Sequence, residues 1–72
     1  MFPLNRSKEG EEVTVRCIDC DCDSLGRLNE LGCYEGASGT IISNQKNVIF
    51  KVGESRLAID NILAESILVT AH

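Results

Sequence analysis

The 72-residue chain has no tryptophan, one tyrosine and two phenylalanines. Phe2, Tyr34 and Phe50 are its whole aromatic complement, so aliphatic side chains must fill the interior. The one histidine, His72, ends the chain. A chain terminus is more often frayed than ligating, and no serine has a histidine nearby in sequence to activate it. Long hydrophobic runs are also missing: nothing approaches the ~20 apolar residues that cross a bilayer. Clustered positive charge is missing too. Arg6, Lys8, Arg16, Arg27, Lys46, Lys51 and Arg56 are dispersed and none adjoin, against eleven acidic residues and a net charge of −4. That balance argues against nucleic-acid binding, which normally uses a basic face. There is no internal repeat, linker or low-complexity tract.

What remains is ordinary for one globular domain spanning 1–72, with a core from about 4 to 69: 43% apolar, 25% charged, six glycines and four cysteines. A chain this short buries only about 60% of its unfolded surface, so its core is thin. The opening Met1-Phe2-Pro3-Leu4-Asn5-Arg6 lacks the charged start and apolar stretch of a secretory signal. The chain therefore reads as cytoplasmic, and its cysteines as thiols or metal ligands rather than disulfides.

Glu12 to Ile18 alternates polar and apolar residues, the period of a half-buried strand with Val13, Val15 and Cys17 inward. After a polar stretch, Asp23 or Ser24 can cap a short helix carrying Leu25, Leu28 and Leu31 on one face, ended by Gly32. About eight residues cannot hold a helix alone in water, so its leucines must dock. Four further strands follow: Thr40–Ser43, Val48–Val52, Arg56–Ile59 and Ile67–Val69. Asn44–Asn47 forms a hairpin loop, Gly53–Ser55 a tight turn, and Asp60 caps a single helical turn from Asn61 to Glu65. Five short strands at this spacing imply a mainly β fold, a sandwich or small barrel, and the barrel is favoured. Closure would remove edges that 72 residues could scarcely cover.

Cys17-Ile18-Asp19-Cys20-Asp21-Cys22, with Cys33 further on, is the most unusual feature. A C-x-x-C turn lets two thiolates grip one ion, which suits iron or zinc, with Cys20 and Cys22 the leading ligands. Against this, Cys17 continues the inward alternation, and cysteine is often a small buried hydrophobe. Four-cysteine sites also tend to pair two C-x-x-C knuckles, and here there is one. Gly36-Ala37-Ser38-Gly39 is too short for a phosphate cradle, and Asp60 with Glu65 read as a helix cap and a solvated face. No catalytic constellation emerges, so the chain is expected not to be an enzyme.

Three segments together resemble the FeoA family: Pro3-Leu4 with Lys8-Glu9-Gly10; Arg27-Leu28-Asn29-Glu30-Leu31-Gly32, similar to the family's R-L-x-E-L-G helix end; and Leu57-Ala58-Ile59 with Ala64-Glu65-Ser66-Ile67-Leu68-Val69. Order and spacing agree from about Leu4 to Val69. The resemblance implies an SH3-like five-stranded barrel with a short helical insertion after the first strand. It also implies a non-enzymatic accessory role in ferrous-iron uptake, with the cytosolic GTPase region of the FeoB transporter as partner. The same fold closes iron-dependent repressors, but this chain has no room for their winged helix. Leu31, Gly32 and Tyr34, at the helix exit, are the candidate partner-binding residues; Tyr34 reads equally as an interface anchor or a barrel plug. Glu9-Gly10 and Glu35-Gly36 stand where the family commonly has Pro-Gly, and the Asn44–Asn47 loop is shorter than many relatives carry. A cysteine-dependent iron or zinc sensor or carrier is the alternative role.

Overall fold

The computed structural model describes residues 1–19 and 22–71. Its strands are β1 (Phe2–Pro3), β2 (Glu12–Ile18), β3 (Ser38–Asn44), β4 (Asn47–Val52), β5 (Ser55–Asp60) and β6 (Ile67–Ala71). Helix α1 (Cys22–Leu31) lies between β2 and β3, α2 (Asn61–Glu65) between β5 and β6, and a 3₁₀ turn (Leu4–Arg6) follows β1. All five expected strands form, and β1 adds a sixth by pairing Phe2 with Val69 and Pro3 with Leu68. The strands make one antiparallel sheet in the order β1-β6-β2-β3-β4-β5. It is an SH3-like small barrel whose ladder is not strictly closed, ending at β1 and β5. β1 is only two residues long and Pro3 has no N–H to donate, so it cannot carry the closing ladder.

Alternation builds the core. Val13, Val15, Val48, Phe50, Leu57, Ile59, Ile67 and Val69 all point inward and are buried, joined by Leu4, Ile41 and Leu28. Phe50 is the sole aromatic among the fully buried side chains, so the interior is aliphatic as the composition requires. Each such side chain contributes roughly 1.5–3 kcal/mol relative to exposure.

Two bulges correct the simple alternation. In the β2–β6 ladder Val15 pairs with Val69, but the next partners are Cys17 with Leu68 and Ile18 with Ile67. The extra residue, Arg16, turns the rest of β2 over. Ile18 is therefore buried and Cys17 only half-buried, opposite to the expectation for Cys17. In β3 the shift between Ile41 and Ser43 does the same, leaving Ile41 fully buried and Ile42 exposed.

Helix α1 also departs from expectation. It begins at Cys22, so Asp23 and Ser24 lie in its first turn rather than capping it. Three-residue steps advance about 300°, falling about 60° short of a turn each time. Leu25 and Leu28 thus reach the core while Leu31 drifts off it. α2 has the cap foreseen, with Leu63 N–H donating to Asp60 Oδ1 at 2.7 Å. It packs against the 3₁₀ turn, β4, β5 and β6.

The Asn44–Asn47 loop is tighter than expected, since both asparagines belong to strands. Side-chain amides then tie the turn, the 3₁₀ segment and α2 together. Asn44 Nδ2 donates to the Asn5 carbonyl at 2.8 Å and to the Ser7 carbonyl. Asn5 Nδ2 donates to Asn61 Oδ1 at 3.0 Å, and Asn61 Nδ2 to the Gln45 carbonyl at 3.1 Å. Sequence pattern marks Asn44 only as a loop residue and Asn61 only as a helix start, and gives Asn5 no role.

Candidate functional site at the exit of the first helix

Helix α1 ends in a Schellman motif. Gly32 N–H donates to the Asn29 carbonyl at 3.1 Å and Cys33 N–H to the Leu28 carbonyl at 2.8 Å. Gly32 has φ +102°, a conformation open to glycine and costly for other residues. The motif brings Cys33 back onto Leu28, and both are buried in the core, the apolar contact that usually accompanies it. The chain then turns again, with Ala37 N–H donating to the Tyr34 carbonyl at 3.0 Å. Gly36 N–H and Val15 N–H, donating to the Val15 and Ala37 carbonyls, fasten this turn to β2.

On this pinned backbone, side chains alternate between core and solvent. Cys33 is inside, whereas Leu31 is 48% and Tyr34 51% exposed. Tyr34 is not a plug in the barrel; half of it faces solvent. The three residues singled out from the sequence are thus brought together, as two exposed large apolar side chains flanking a left-handed glycine. Their backbone is held by hydrogen bonds at both ends, so little ordering entropy remains to be lost on contact.

The cysteines are placed differently. Cys33 is fully buried among aliphatic side chains and Cys17 is half-buried on β2. Cys20 and the side chain of Cys22 lie outside the described residues, so the metal-ligand expectation for them falls there as well. Among the described residues, no three of His, Cys, Asp or Glu group in a way that could hold a metal ion.

Sequence reasoning missed a second surface. An open groove of about 730 Å³ runs between α1, the β3–β4 turn and α2, with Arg27, Lys46 and Ile62 on its walls. Ile62 is 84% exposed. A five-residue helix has one inward face, taken by Leu63 and Ala64, and an apolar residue between Asn61 and Leu63 was the available signal. No helix among the described residues is long and apolar enough to cross a membrane.

Comparison with known proteins places this geometry. The family model for the FeoA domain matches residues 2–71. "Putative Fe(2+) transport protein A" of Methanocaldococcus jannaschii is 41% identical over 70 residues, covering 96% of this chain and 85% of the relative. The crystal structure of an iron uptake regulatory protein, FeoA, superposes with a TM-score of 0.88 at 25% identity, over 99% of this chain and 96% of that one. The solution structure of FeoA from Chlorobium tepidum also gives 0.88, at 20% identity, over 97% of this chain and 70% of that one.

Proposed function

The chain belongs to the FeoA domain family, proteins associated with Fe(2+) transport rather than enzymes, and from that premise we propose that it is a cytoplasmic accessory protein of ferrous-iron uptake that binds the cytosolic GTPase region of an FeoB-type transporter through the exit of α1. The observation that carries the reading is the joint exposure of Leu31 and Tyr34 on a backbone held by the Schellman motif. Large apolar and aromatic side chains side by side on pre-organised backbone are what interface anchors are made of. Arg27, one turn before Leu31, and Glu30 and Glu35 beside the pair are exposed and would form a polar rim.

The test is calorimetric titration of the purified chain into the isolated cytosolic GTPase region of the transporter encoded by the same organism. Leu31→Ala and Tyr34→Ala should each weaken binding by roughly 10- to 30-fold, the loss typical of an anchor. Their unfolding midpoints should stay at the wild-type value, because both side chains are exposed. Unchanged affinity in the folded double variant would move the interface elsewhere, and no binding by the wild type would remove the reading. Metal content after anaerobic purification separates it from the thiolate-carrier alternative. Near-stoichiometric iron or zinc, lost in Cys20→Ser/Cys22→Ser, would make the carrier role primary.

A further inference from the structure

The two ends of the sheet are built differently. β1 is two residues long and contains Pro3, an edge that cannot accept a strand. β5 is six residues long, without proline or bulge, in unbroken register with β4 from Val52↔Ser55 to Asn47↔Asp60. Among the described residues, only β4 on one side and α2 at its end pack substantially against it. The two-residue turn Gly53–Glu54 closes on the Val52↔Ser55 pair, so that pair exchanges main-chain hydrogen bonds. Alternation then aims the N–H and C=O groups of Ser55, Leu57 and Ile59 at β4. Those of Arg56 and Ala58, and the N–H of Asp60, whose carbonyl is taken up as the N-cap of α2, point away from the sheet, and all three side chains are exposed while Leu57 and Ile59 are buried.

A second strand added here in antiparallel sense must pair residues whose groups point outward, and β5 meets that requirement against itself. With Ala58 opposite Ala58, Arg56 of each copy lies opposite Asp60 of the other on the same solvent face. Leu57 then lies opposite Ile59, extending the apolar face from one copy to the next. The small side chain sits on the two-fold axis, where two identical groups must meet, and the opposite charges sit on either side. We propose that β5 is a self-recognition edge, pairing with β5 of a second copy of this chain to form a reversible, weak two-fold dimer. The proposal is independent of the transporter contact, which uses other residues. A contact of this size falls at the low end of interface areas, so the association is a transient one.

The intact chain would be followed by sedimentation equilibrium and by amide nuclear magnetic resonance from roughly 10 μM to roughly 1 mM, the range in which so small an interface operates. The expected result is a monomer–dimer equilibrium in which the Arg56, Ala58 and Asp60 amides shift with concentration and which weakens as salt is raised. Arg56→Glu faces Asp60 of the partner copy twice and should raise the dimer dissociation constant about tenfold or more. Ala58→Pro should abolish the dimer while leaving the monomer folded, since an outward N–H is one an edge strand can lose. A monomer throughout that range overturns the proposal, as does a dimer that Arg56→Glu does not weaken. Shifts at these amides only on adding the transporter's cytosolic region would assign the edge to a partner's strand and overturn self-pairing.

Discussion

Gly26 and Gly39 invite the same substitution with opposite expected outcomes. Gly39, in β3, needs no left-handed backbone; what it lacks is room. A Cβ there would lie 2.8 Å from Phe50 Cε1 and 3.0 Å from the Lys51 carbonyl carbon, and closer still to the Lys51 carbonyl oxygen. Carbon contacts are optimal near 3.5–4.0 Å, so both carbons would overlap by about half an ångström or more. Neither neighbour can easily yield. Lys51 is held in ladders to Thr40 and Arg56, and Phe50 is fully buried. Gly39→Ala must push β3 off β4 or repack the core's one aromatic, at a cost of about 2–3 kcal/mol. A domain of this length has a total stability on the order of 4–11 kcal/mol. At about 4–8 °C per kcal/mol, the midpoint should fall by roughly 8–24 °C. Gly26 lies on the exposed face of α1, and a Cβ there meets nothing within 4 Å. Gly26→Ala should therefore stabilise by up to about 1 kcal/mol through helix propensity. Thermal and urea unfolding followed by circular dichroism measures both. A Gly39→Ala protein within about 0.5 kcal/mol of wild type, the scatter of ordinary surface substitutions, would refute the close approach of β3 to β4.

Two further substitutions probe the hydrogen bonds that hold the 3₁₀ turn and the end of α1. Asn44→Ala leaves the Asn5 and Ser7 carbonyls without a donor, at about 1–3 kcal/mol; hydrogen exchange should quicken first in the 3₁₀ turn, and unchanged exchange there would discount the amide link. Gly32→Ala forces a Cβ onto φ +102°, costing about 1–3 kcal/mol in urea unfolding, with Gly32→Asn recovering part of the loss because asparagine tolerates left-handed backbone better; an alanine variant as stable as wild type would contradict the Schellman ending.

The residues read as chemically most telling and those the fold uses only partly coincide. Gly32 was recognisable because a leucine-spaced helix needs a left-handed residue to stop, and the structure places it there with φ +102°. Leu31 and Tyr34 were legible as candidates, but their exposure was not, because it depends on how far α1 turns before Cys33 re-enters the core. Cys17 was misplaced for a related reason. Alternation assumes an unbroken ladder, and the bulge at Arg16 belongs to the pairing with β6 some fifty residues away. Ile62 and the asparagine network escaped notice because nothing local distinguishes an asparagine in a turn from one whose amide bridges distant segments.

By itself the sequence determined five of the six strands, both helices, the aliphatic core and the family, since each rests on local periodicity, capping or a motif a few residues long. Only the tertiary structure decided the two register shifts, the crowding around Gly39, and the unequal edges that leave β5 open. Those depend on which strands meet and in what register. That is settled by contacts between residues far apart in the chain, where no short-range pattern reaches.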